Sequence, residues 1–190
     1  MSYDPEPSYP LPEGAVDVGY EALAEDGARD GVEVIAVDGA STVAWDRVAS
    51  ALRSAFAPLV GEVQIVDMRR HALPWAEVER LTSDPALADD PAFARIPDVG
   101  LRELLGELPV PSAGGPLTLV VGPGAALVPH DLLWWLDLPK ADSLATVQRG
   151  QASNLGQPPG EIGTEKRLLF VDWPLLDRHK RAHAHRLHRR

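Results

Sequence analysis

The segment Asp38-Gly39-Ala40-Ser41-Thr42-Val43-Ala44-Trp45-Asp46 is where this sequence comes nearest to a recognisable chemistry. It follows a β-branched apolar run and precedes a helical pattern, the strand–loop–helix setting that a phosphate-binding loop requires. In the complete loop, G-x-x-x-x-G-K-[ST], glycines let backbone N–H groups close around phosphate. The lysine neutralises the β- and γ-phosphates, and the hydroxyl binds Mg²⁺. Counted from Gly39, this chain places Ala44 at the second glycine, Trp45 at the lysine and Asp46 at the hydroxyl. Losing one good charged contact costs about 1.5–3 kcal/mol, and Asp46 adds charge of the wrong sign. Gly39, Ser41 and Asp46 therefore read as the remnant of a phosphate loop. No catalytic residue and no cofactor is assigned.

A second set of polar residues surrounds the expected cleft. Asp67 and Asp172 end expected strands, and α/β folds place functional groups there. Arg149 and Arg167 could reach an anion in the same cleft, and Asp177 lies beside Arg178 and His179. The plainer alternative for each is a solvated or surface-paired side chain, which contributes little. His179 and His183, and His185 and His188, have the spacing of one helix face. No carboxylate follows to complete a catalytic set, so no metal is assigned. There is no G-x-S-x-G elbow.

The elements that would position these residues alternate. Residues 33–38, 62–67, 117–121 and 167–172 read as strands, being short apolar runs bounded by turn residues. Residues 42–57 carry Val43, Val48, Ala51, Leu52 and Phe56 at helical spacing, with Pro58 as a stop. Residues 16–28, 74–81 and 99–108 read as helices, and a further helix begins at Pro174. Residues 131–138 read as a helix or an irregular segment. Strands alternating with helices imply an α/β fold, a mainly parallel sheet with helices on both faces, of the P-loop kinase-like kind.

The chain has 190 residues and carries 18 basic against 28 acidic residues, with no cysteine. Its length fits one domain with tails: a proline-rich extended arm over 1–15, an α/β body over 16–181 and a basic His/Arg tail over 182–190. The acidic body repels nucleic-acid phosphate, so no nucleic-acid partner is expected. No run of about 20 apolar residues is present to span a bilayer, so no membrane partner is expected. Lack of cysteine and of a signal-peptide pattern suits a cytoplasmic location.

Three stretches form a familiar set: Val34 to Ala40, Val120-Val121-Gly122-Pro123-Gly124-Ala125-Ala126-Leu127, and Asn154-Leu155-Gly156-Gln157 followed by Lys166 to Arg181. Together they resemble the N-terminal domain of bacterial class I mannose-6-phosphate isomerase-like proteins, a domain itself similar to uridine-kinase-type folds. The most specific part is Phe170-Val171-Asp172-Trp173-Pro174 through Asp177-Arg178-His179-Lys180-Arg181. The resemblance implies carbohydrate metabolism, with a zinc-bearing cupin-type barrel carrying the isomerisation in the larger proteins. No such barrel fits after Asp177, and the sequence from His183 departs from the resembling pattern, which reads as a truncation or a shifted frame. The expected role is therefore non-catalytic: support or regulation of a sugar-phosphate enzyme, with a protein partner or a lost cupin domain. The alternatives are a small-molecule kinase with an atypical phosphate loop, or the isomerase itself.

Overall fold

A computed structural model describes residues 18–29, 31–112, 114–158 and 160–187; the expected arm over 1–15 lies outside them. Four parallel strands form one sheet: β1 (Val34–Gly39), β2 (Val63–Asp67), β3 (Leu117–Val121) and β4 (Leu132–Leu136), in the order β2-β3-β1-β4. The central strands explain their own sequences. β3 is buried at every residue and β1 at five of six, because parallel strands covered on both faces need continuous apolar runs. Alternation then divides the side chains. Ile35 and Val37 join Leu119, Val121 and Trp134 on one face, while Ala36, Val120 and Leu133 point to the other.

The first face is covered by α1 (Glu21–Gly27) and α2 (Trp45–Val60), with Ala24, Trp45, Val48, Leu52 and Phe56 in the core. Phe56 stacks on Trp134 with ring centroids 6.1 Å apart. On the second face Met68, Leu105, Ala125, Ala126 and Val128 close over the sheet. A third cluster joins α3 (Trp75–Thr82) to the C-terminal helix through Val78, Leu155, Val171, Leu175 and Leu176.

The expected α/β class and three of the expected strands hold; several elements differ. Residues 167–172, expected as a strand, are helical. α5 (Glu165–Arg167) runs through a π turn (Leu168–Asp172) into α6 (Trp173–His183). Thr164 starts this helix by accepting from the Arg167 N–H, and Leu168, Val171, Leu175 and Leu176 are all buried. A six-residue apolar window cannot separate that helical spacing from a buried strand. The strand is supplied by residues 132–136 instead. There Leu-Leu-Trp-Trp-Leu pairs with β1 from Ile35↔Leu132 to Gly39↔Leu136.

Residues 99–108 make only the short 3-10 turn Leu101–Leu104, after which Leu105 bridges Ala72 in extended conformation. Helix α2 begins at Trp45, not Thr42, and carries Pro58 inside its last turn. A proline there removes only one late N–H bond. The actual stop is Gly61, at φ 79°, whose N–H bonds the Ala57 carbonyl. Helix α4 (Lys140–Gln148) had no sequence assignment; its apolar periodicity is weak. At the other end of the chain, Leu187 packs against the second core cluster after a 3-10 turn over Ala184–Arg186.

Candidate functional site

The loop between β1 and α2 is built from its own bonds. The Trp45 indole is 1% exposed, and its Nε1–H donates to the Ala40 carbonyl at 3.1 Å. The Val43 N–H bonds Ala40 O at 3.3 Å and the Trp45 N–H bonds Val43 O at 2.8 Å. In a phosphate cradle such amides face the anion; these two face the loop's own carbonyls. Asp46, at the metal-binding hydroxyl position, receives Arg69 Nη2 at 2.5 Å, and Arg69 also grips Asp67 through Nε and Nη2. Asp67, and then Asp46, hold the guanidinium well above its usual range of ionisation. A cation is therefore present near the loop, supplied from the end of β2 and already shared by two carboxylates.

A cavity of about 890 Å³ opens beside this loop, at the carboxyl ends of the strands. Residues 41–47 form one wall, Met68 and Arg69 another, and residues 150–157 a third. Strand order puts it where crossovers leave in opposite directions, from β1 toward β2 and from β3 toward β4, the usual ligand position in open parallel sheets. Behind the wall lies Asp172, fully buried. Its Oδ2 accepts from Ser41 Oγ at 2.9 Å, Leu155 N at 3.0 Å and Asn154 Nδ2 at 3.2 Å. Its Oδ1 has no hydrogen-bond partner among the described residues. Burial pushes the carboxyl above its ordinary range, against the three hydrogen bonds and the charge of Arg167.

The residues singled out from sequence are only partly brought together. Ser41 and Asp46 line the cavity; Gly39 does not, and lies so close to β4 that a Cβ would be 2.2 Å from the Leu136 carbonyl oxygen. Asp67 acts through Arg69, and Asp172 through Ser41, Asn154 and Leu155. Arg167 points elsewhere, donating to Thr82 Oγ1 at 2.8 Å and stacking over Trp75. Arg149 is exposed at the C-terminus of α4. Asp177 pairs with Lys140 at 2.6 Å, away from the cavity lining.

Sequence reading missed Asp38. Its carboxylate is buried and accepts from the N–H groups of Gly39, Gly124 and Ala126 at 2.7, 3.1 and 2.9 Å, and from His179 Nε2 at 2.8 Å. The available signal was a charged residue inside a run buried on both faces, since such a charge must find partners. Arg69 and Asn154 carried no comparable signal.

The family described as Domain of unknown function (DUF8485) matches residues 19–189. The chain belongs to this family. The match takes in the loop, the cavity walls and the C-terminal helix together. No curated protein matches the chain. Among the described residues, no helix is long and apolar enough to cross a membrane.

Proposed function

We propose that this chain is a kinase-like α/β domain without phosphoryl-transfer chemistry, serving a sugar-phosphate enzyme of the mannose-6-phosphate isomerase-like kind as a supporting or regulatory unit. The observation that carries the reading is Trp45. At the lysine position of a phosphate loop it is a core side chain, and its indole N–H closes the loop on Ala40 O. The Arg69 bridge between Asp46 and Asp67 adds to it, because a phosphate there would meet two carboxylates sharing one guanidinium. The sheet order, with β1 between β3 and β4, is compatible with kinase ancestry.

The link to the isomerase-like proteins rests on the resemblance, and the residues that carry it have structural work. Asp172 fastens Ser41, Asn154 and Leu155, His179 fastens Asp38, and Arg178 donates to the carbonyls of Pro97 and Val99. Their type and spacing suit a scaffold more than a reaction centre. Calorimetric titration with MgATP tests the first half; no heat is expected, and micromolar binding would overturn the reading. For the second half, the domain is mixed with a cupin-type mannose-6-phosphate isomerase barrel lacking such a domain of its own. A rise in the barrel's Tm or a change in its KM is expected, and neither change would remove the supporting role.

A further inference from the structure

Two imidazoles of α6 and one carboxylate meet at the carboxyl end of β1, and a third imidazole, His130, is near enough for its charge to act on His183. His179 reaches Asp38 Oδ2 at 2.8 Å, and its ring lies 4.6 Å from that of His183, one turn later on the same helix. His130 comes from the connection between β3 and β4, where its Nδ1–H donates to the Val128 carbonyl at 2.7 Å. His130 Nε2 and His183 Nδ1 are both buried and have no hydrogen-bond partner among the described residues. We infer that His130, His179 and His183 form a proton-sensitive clasp that fastens the C-terminal helix to the end of β1 at neutral pH and releases it on mild acidification.

The charges around the cluster favour this. The carboxylates are Asp38, at its centre, and Asp131, beside His130; Arg186 faces both His130 and His183 from the chain end. Asp38 is already committed to three backbone N–H groups and to His179. A proton on His183 therefore sets a cation beside His179, His130 and Arg186 in a half-buried position, where the carboxylate of Asp38 is already engaged. Burial, first, and the nearby charge of Arg186 hold both His130 and His183 below the usual imidazole range. Both are neutral when the clasp is shut, and both take protons more readily once it opens.

Opening has a consequence for the cavity. Asp172, which holds Ser41, Asn154 and Leu155 of the cavity wall, sits in the same continuous helix, one residue before α6. Asp38, which His179 covers, holds the Gly122–Ala126 turn, and Pro123 of that turn lines the cavity. Acidification thus loosens two of the cavity's supports together, whatever occupies the cavity and independently of the role proposed above.

Hydrogen exchange on the intact chain at pH 7.5 and 5.5, corrected for intrinsic rates, tests this. Peptides covering residues 173–187 should lose protection several-fold at the lower pH, up to about tenfold for each proton taken up between pH 6.5 and 5.5. Peptides of α2 should keep theirs. Equal loss in α2, or none in 173–187, would overturn the clasp. In the double variant His130→Asn, His183→Gln the pH response should vanish; if it persists undiminished, other groups are responsible. Should that variant fail to fold, the imidazole proton resonances of the native chain decide. His130 and His183 must titrate below the ordinary imidazole value of 6.5, and titration at or above it refutes the proposal.

Discussion

Trp45 shows how one residue can decide what a loop does. A lysine at this place would end in a charge; an indole ends in a single N–H that Ala40 accepts, while its rings fill the core under β1. Restoring the phosphate motif by Ala44→Gly, Trp45→Lys and Asp46→Ser therefore does not restore a phosphate site. Deleting a buried tryptophan costs about 3–5 kcal/mol, and Trp45→Lys is expected to fall in that range by urea denaturation, with no gain of MgATP binding. Asp172 offers a finer test. Its Oδ2 accepts three bonds and its Oδ1 none, so an asparagine can present its carbonyl to the donors and its amide to the empty side. Asp172→Asn should cost under about 1 kcal/mol, whereas Asp172→Ala, which strands three donors, should cost about 2 kcal/mol or more. Equal losses in the two variants would show that the carboxylate charge itself is needed.

Elements are held here by contacts between distant parts of the chain. β1 and β4 come so close at Gly39 that a Cβ would overlap the Leu136 carbonyl at 2.2 Å. Gly39→Ala is expected to separate the ends of these strands and lower stability by about 1–3 kcal/mol or more. An unchanged Tm would mean the strands part freely there. The C-terminal helix is fixed at both ends: Thr164 caps its start, and Lys180 pairs with Asp137 near its finish while lying over Trp135. Its π turn lies between these points and places Asp172 toward Ser41. A π turn widens the helix by one residue per turn and is often found at functional positions. A six-residue reading of 167–172 had no access to that geometry, because the partner of Asp172 is 131 residues away.

For the whole molecule, pH reaches stability through groups of opposite sense. His130 and His183 have folded-state affinities for protons below the ordinary value of 6.5. Between their folded values and 6.5 the unfolded chain binds more protons, so stability rises with pH through that window. It is fully present above about pH 6.5 and is lost as pH falls below it. Asp172, raised by burial above 3.8, works the other way: the folded state binds more protons, and stability falls as pH rises through its window. Urea midpoints measured at pH 7.5 and 5.5 in the Asp172→Asn background isolate the histidine part. The midpoint is expected to be lower at pH 5.5, and a higher midpoint there would contradict the assigned direction.

Sequence by itself determined the alternation of short apolar runs with helical patterns, and so the α/β class and strands β1, β2 and β3. The residues of β1 and β3 are buried on both faces, a demand that shows in composition whatever the neighbours are, and β2, at the sheet edge, shows as a short β-branched run. It also determined that the loop after β1 lacks the charge a phosphate requires. Only the tertiary structure decided that residues 132–136 are the fourth strand and 165–183 one helix, because both runs are apolar enough to be either. The space beside β1 and beneath Val78 settled the choice. Tertiary structure alone also decided that Asp38 meets His179 and that Asp172 meets Ser41, since a buried carboxylate must find donors and the chain does not reveal which distant segment supplies them.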